Sequence, residues 1–153
     1  MNWWTNVALT FLAAMVPVLE LRFAIPFGVT RGLGLRVSIV VSILGNLVPV
    51  PFIIVFIRRI FAWLRRRHDR LDGLVSSLEE RAREKRGLVE KYAFWGLVLL
   101  VAIPLPGTGA WTGALVAAMM NMRLRRAMPA IVLGVVIAGV VVSSITYGAR
   151  MVF

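Results

Sequence analysis

Thirty-one consecutive residues, Tyr92 to Met122, carry no charge, yet they cannot form one comfortable helix. The run is too long for a straight membrane span, and Pro104, Pro106, Gly107 and Gly109 break its middle. Proline removes a backbone donor and clashes with the preceding turn, while glycine frees the backbone. Tyr92–Ile103 amounts to roughly 18 Å of helix, which reaches only just past the middle of a bilayer core about 30 Å thick. Ala110–Met122 is similar. Two half-length helices around a Pro/Gly break predict a re-entrant hairpin. Non-helical backbone at that depth persists only where it is buried in protein or lines a cavity.

The rest of the chain fits the same setting. It has 153 residues, 59% of them hydrophobic, more apolar surface than a soluble domain of this length can hide. Three further apolar stretches are Trp3–Leu19, Val37–Ile57 (21 residues) and Ala127–Gly148 (22 residues), the last two each long enough for a full span. There is no cysteine, and the single histidine, His68, has no ligand partner at useful spacing, so neither a disulfide nor a metal site is expected. No cofactor motif, hydrolase triad or Walker loop is present, and the chain reads as a non-enzyme. Met1–Asn6 lacks the basic segment of a secretory signal, so the first apolar stretch is expected to stay in the mature chain.

The net charge of +11 does not imply nucleic acid, because the eleven basic residues between Arg58 and Lys91 are interleaved with six acids. This charged segment, 58–91, reads instead as cytoplasmic and in contact with anionic lipid headgroups. Within it Leu71, Leu74, Val75, Leu78 and Ala82 follow helical spacing, with Glu79–Arg83 and Glu80–Arg83 as same-face pairs. An amphipathic helix is expected, lying on the membrane or packed on the protein. With 58–91 inside, fourteen Lys/Arg fall on that side, and only Arg22, Arg31, Arg36 and Arg150 do not.

The first half repeats the plan of the second. Pro17, Glu20, Pro26, Gly28 and Gly32 interrupt the apolar region 3–35, and the span 37–57 follows. In the second half, the hairpin 92–122 precedes the span 127–148. At an offset of 87 residues Pro17 falls on Pro104 and Arg36 on Arg123, although Glu20 falls on Gly107. The expected fold is therefore a single all-α membrane domain, 1–153, with two opposed re-entrant hairpins. Each is followed by a transmembrane helix, and the two halves form an inverted repeat of the kind that holds transport sites where broken helices meet.

Glu20 is the only carboxylate outside the charged segment. A lone acid in an apolar setting costs about 2.5–3.5 kcal/mol on insertion scales, which makes it a functional candidate. Desolvation and a neighbouring cation act on such a carboxyl in opposite senses. It can serve as a proton-coupling or cation-binding group, with Arg22 gripping an anionic head group; alternatively the two form a structural ion pair. Gly107 and Gly109 permit close backbone approach, and the amides that open the next half-helix make an anion site. Thr108 and Thr112 add hydroxyls, and Trp111 can stack on a ligand or wedge the hairpin. Asn46 lies near mid-membrane, where Pro49 and Pro51 free the carbonyls of Gly45 and Leu47; it can line a polar path or bond a neighbouring helix. Ala130, Gly134 and Ala138 form a small-residue packing face. Trp3, Trp4, Tyr92, Trp95 and Tyr147 suit interfacial anchoring.

The combination Leu19-Glu20-Leu21-Arg22…Ile25-Pro26, Gly45-Asn46…Pro49-Val50-Pro51, Tyr92…Gly96-Leu97, Ile103-Pro104-Leu105-Pro106-Gly107-Thr108-Gly109-Ala110-Trp111-Thr112-Gly113 and Tyr147-Gly148 resembles the small multidrug export protein family. That family in turn resembles the DedA (VTT-domain) membrane proteins. The resemblance covers nearly the whole chain and implies a polytopic membrane protein with a transport role. DedA proteins are associated with lipid-carrier translocation and proton-dependent drug resistance. The longer glycine-arginine motif of typical DedA proteins is missing, so their substrate is not carried over. The expected function is a proton-coupled transporter or flippase in the inner membrane, moving a small amphipathic or lipid-like substrate, with a homodimer as a further partner state. The alternatives are a non-transporting scaffold and a four-span bundle of the small multidrug resistance type; the charged segment and the proline breaks argue against the latter.

Overall fold

A computed structural model of the chain describes residues 2–67 and 69–152. His68 therefore lies outside the described residues, as do the side chains of Leu71 and Arg150. Eight α-helices follow one another and no strand occurs among the described residues: α1 Trp3–Met15, α2 Glu20–Thr30, α3 Leu35–Leu47, α4 Pro49–Arg67, α5 Asp69–Tyr92, α6 Phe94–Ala102, α7 Ala110–Met119 and α8 Leu124–Val152.

The short helices end where backbone chemistry requires. α1 stops before Pro17, and Val16–Leu19 form the break. Pro26 and Gly28, expected as breaks, lie inside α2. Pro26 removes only the one bond that would end on the Arg22 carbonyl, and ten other residues keep the helix going. Gly28 is there for packing, since a Cβ would come 2.7 Å from Ser38 Oγ on α3. α2 ends in a Schellman motif: Leu33 N–H bonds the Gly28 carbonyl at 3.0 Å, Gly32 N–H bonds the Val29 carbonyl at 3.1 Å, and Gly32 takes φ +84°. α7 ends the same way, through Met122 N–H to Ala117 O (2.9 Å) and Asn121 N–H to Ala118 O (3.2 Å), with Asn121 at φ +54°.

α3 and α4 form one nearly continuous apolar rod, Leu35–Arg67, with a bend at Val48 where Pro49 opens α4. The expected span 37–57 is the apolar part of this rod, which continues ten residues beyond it to Arg67. Leu124–Ala149 is the second helix long and apolar enough to cross a membrane. Both leave large apolar side chains on the outside, among them Phe52, Val55, Phe56, Val140 and Ile145, all exposed. A water-soluble helix bundle would bury that face; here hydrocarbon is the matching solvent. Trp3, Trp4, Tyr92, Trp95 and Tyr147 are exposed as well, as interfacial anchors require.

α5 packs back on the protein, against α4, α6 and α7. Val75, Ala82 and Val89 are buried at seven-residue spacing and Leu78 is partly buried, whereas Leu74, expected in the same stripe, is 56% exposed. Seven-residue spacing keeps a narrower seam than the sequence pattern suggested. Glu79 does not pair with Arg83. It faces α4 and bonds Arg65, which also reaches Asp72 at 3.2 Å, while Arg83 retains Glu80 at 3.8 Å. α5 then turns into α6 at Ala93, a non-glycine residue with φ +47°.

α6 packs along α8 through small residues. Ala130, Gly134 and Ala138 are buried, and a Cβ at Gly134 would fall 2.6 Å from Val101 Cβ and 2.9 Å from the Val98 carbonyl. Gly134→Ala should therefore push α6 off α8 and destabilise the protein by about 1–3 kcal/mol. Gly148→Ala, with nothing within 4 Å, should be neutral or stabilising by up to about 1 kcal/mol. Thermal unfolding of both variants in detergent checks the opposite signs.

Candidate substrate and coupling site

The breaks of the two halves meet. Glu20 opens α2 and is buried, at 4% exposure. Its backbone is left-handed, φ +48°, a conformation that costs a non-glycine residue about 1–3 kcal/mol and needs compensation. The compensation comes from the second break: Trp111 N–H, in the first turn of α7, donates to Glu20 Oε1 at 3.2 Å. The helix N-terminus expected to take an anion thus faces a carboxyl of the chain itself, positioned where unpaired amides and the helix dipole favour it.

Gly109 makes this approach feasible. Its φ of +116° lies in a region that L side chains rarely adopt, and a Cβ would fall onto the Glu20 carboxyl, 2.8 Å from Cδ and overlapping Oε2. Gly107 has φ +77° with open space around it, so it serves the turn alone. Trp111 wedges the junction: its indole N–H donates to the Met15 carbonyl at the end of α1, 3.1 Å away.

Arg22, two residues further on and about half a turn round α2, grips the opposite side of the same loop. Its Nη1 donates to the Leu105 carbonyl, and its Nη2 donates to Thr108 Oγ1 at 2.8 Å and to the Ile103 carbonyl at 3.4 Å. Thr108 holds the loop from within, its hydroxyl lying 2.6 Å from the Ile103 carbonyl and 2.7 Å from that of Leu105. Both carbonyls also accept backbone N–H bonds, Ile103 from Leu105 at 2.9 Å and Leu105 from Thr108 at 3.2 Å, so the guanidinium fills their remaining acceptor capacity. Glu20 and Arg22 do not pair directly; no ion pair between them exists among those of the described residues. Each reaches across to residues 103–111 instead.

Arg22 also borders a cavity of about 690 Å³, lined on its other sides by Pro26, Val29, Pro104, Val142, Ile145 and neighbouring residues. The lining is mainly apolar with one guanidinium at its edge. The five N–H donors of an arginine exceed the three bonds Arg22 makes within the chain, which leaves donors for a ligand.

Of the residues read from the sequence, Glu20, Arg22, Thr108, Gly109 and Trp111 come together here. Gly107 turns the loop without touching the carboxyl, and Thr112 takes no part in the network. Asn46 lies apart on α3, buried and without a hydrogen-bond partner for either side-chain atom. Sequence reasoning missed Met15, whose role is a backbone carbonyl and leaves no side-chain signal, and the α8 residues Val142 and Ile145 that line the cavity. Among the described residues no cluster of His, Cys, Asp or Glu able to hold a metal occurs.

Two long apolar helices with outward-facing apolar side chains, and a polar junction between broken helices, define an integral membrane protein. The model of the family described as "Putative small multi-drug export protein" matches residues 20–141, from the residue that opens α2 deep into α8. The chain belongs to that family. Comparison with curated proteins and with solved structures found no match.

Gly109→Ala should cost more than Gly107→Ala. The second variant strains one φ angle, for about 1–2 kcal/mol, while the first adds expulsion of the Glu20 carboxyl from the head of α7. Thermal unfolding in detergent should rank them in that order, and Trp111→Phe, which loses one indole bond, should cost about 1 kcal/mol.

Proposed function

We propose that this chain is a proton-coupled membrane transporter or flippase that moves a small amphipathic or lipid-like substrate by alternating access at two opposed broken hairpins. The observation that carries the reading is the apolar cavity of about 690 Å³ with Arg22 at its edge, two residues from the buried Glu20. An amphipathic ligand needs both parts: apolar walls for its tail and a guanidinium for an anionic head group. The export label of the family supports transport in general.

The inverted repeat belongs to this proposal, as does kinship with the DedA (VTT-domain) proteins. In its support, α1-break-α2-α3 and α6-break-α7-α8 share one order. Both return helices end in a Schellman motif whose left-handed residue, Gly32 or Asn121, stands three positions before the next helix. The second break, 103–109, is longer than the first, 16–19. The halves therefore correspond at an offset of 87 before the breaks, 90 where the return helices begin and 89 where they end, which matches Glu20 with Ala110 rather than with Gly107. In this reading the hairpins enter from opposite faces, residues 58–91 are cytoplasmic, and the protein is a multi-pass inner-membrane protein. Anionic lipid headgroups, protons and a second copy of the chain are its partners.

In this reading the cycle uses the junction. Protonation of Glu20 weakens its hold on the Trp111 amide, the hairpins part, and Arg22 trades loop carbonyls for a substrate anion. Glu20→Gln, which still offers an amide oxygen to Trp111 but does not titrate, should reduce proton flux coupled to transport of a fluorescent short-chain lipid phosphate in proteoliposomes by at least tenfold. Arg22→Lys, losing the planar fork, should weaken the apparent affinity about tenfold, or about 1.4 kcal/mol. A second reading, a scaffold without transport, is favoured by the engagement of both side chains within the chain; it predicts no flux above protein-free liposomes in the unaltered chain or either variant, with a loss of thermal stability in both variants.

A further inference from the structure

We infer that the interface between the α1–α2 hairpin and α3 is a seam that opens, and that the buried face Ser38–Ser42–Asn46 then lines an aqueous path. Its use as a path rests on the transport reading above; the seam itself rests on orphaned polar atoms.

Ser38, Ser42 and Asn46 recur every four residues, so they share one face of α3 over a rise of about 12 Å. All three are buried, at 0%, 0% and 1% exposure. Ser38 Oγ, Ser42 Oγ and both polar atoms of the Asn46 amide have no hydrogen-bond partner, and neither has Asn6 Oδ1 on α1. Buried polar atoms in native proteins are nearly always partnered, so such a group calls for a specific explanation. Helical hydroxyls have an easy escape, the carbonyl one turn back. Thr10, Ser144 and Thr146 take it, each at 2.8 Å. Ser38 and Ser42 do not.

The pattern of orphans selects the partner. Asn46 leaves both a donor and an acceptor unmet. A cation would serve only the oxygens, and an anion only the amide hydrogens and hydroxyls. Water serves all of them. The packed face has no room for it here, since the atoms are inaccessible. The closed interface therefore leaves unmet the bonds that an opened, hydrated one would make, and making them offsets part of the cost of opening.

The contacts across the seam hold by close approach and not by polar bonds. They are made by glycines against backbone and small groups: a Cβ at Gly45 would fall 2.5 Å from the Phe11 carbonyl and 3.0 Å from Ala14 Cβ, and Gly28 faces Ser38. No side-chain hydrogen bond crosses from α1 or α2 to α3 among the described residues. The seam is also tied to the junction. Ala14 abuts Gly45, beside Asn46, and the next carbonyl, that of Met15, holds the Trp111 indole. Movement at Glu20 and Trp111 thus reaches the inner end of the polar face.

The native chain has no cysteine, so single thiols report cleanly. Ser38→Cys, Ser42→Cys and Asn46→Cys, reconstituted in liposomes, should react with a small charged methanethiosulfonate at least tenfold faster than Ile131→Cys, a fully buried site in α8. Rates equal to that control at all three positions overturn the inference. A measurement on the unaltered chain guards against misfolded variants: in bilayers, solid-state NMR polarisation transfer from water should reach the Asn46 side-chain amide, and its absence equally overturns the seam. The two proposals fail separately. Fast labelling without coupled flux keeps the seam and removes transport; control-level labelling with flux intact removes the seam alone.

Discussion

The contact between the Glu20 carboxyl and the amide that opens α7 is the constraint on which the rest of the molecule depends. Broken helices expose backbone groups that hydrocarbon cannot satisfy. Here each break supplies what the other lacks. The head of α7 has unpaired donors, and Glu20 brings an acceptor. The proline-rich loop turns carbonyls and the Thr108 hydroxyl toward α2, and Arg22 brings further donors to them. Bonds of this kind, with charged groups on one side, contribute about 1.5–3 kcal/mol each, enough to offset the left-handed backbone at Glu20 and to bind hairpins that share little other polar contact.

The remaining architecture keeps that contact in place without adding polar groups to the membrane. Gly134 and its alanine neighbours bring α8 against α6, and Gly28 and Gly45 bring the first hairpin against α3. In hydrocarbon there is no hydrophobic drive between helices, so close backbone approach supplies the packing. Outside the bundle, α5 uses a seam of Val75, Ala82 and Val89 and a bridge from Arg65 to two acids, which holds the charged segment against α4 and α7.

Much of this was legible in the letters for reasons that can be named. Pro104, Pro106, Gly107 and Gly109 marked a break because their backbone chemistry is local. Glu20 and Arg22 stood out because a charge in an apolar run is costly wherever it sits. Other readings failed where neighbours decide. Pro26 and Gly28 looked like breaks, yet a helix tolerates the loss of one bond, and Gly28 serves the approach of Ser38. Leu74 and Glu79 fitted a local helical pattern, but α4 selected a different face of α5.

The sequence by itself determined the membrane setting, the positions of both breaks and the identity of the unusual charges, because hydropathy, proline and glycine geometry, and charge desolvation act over a few residues. Only the tertiary structure decided that Glu20 and Arg22 turn away from each other to opposite sides of one loop, and that the amides at the head of α7 meet a carboxyl of the chain itself. Those choices depend on residues some ninety positions apart arriving at one place, and pairwise geometry at that range follows from packing, not from local pattern.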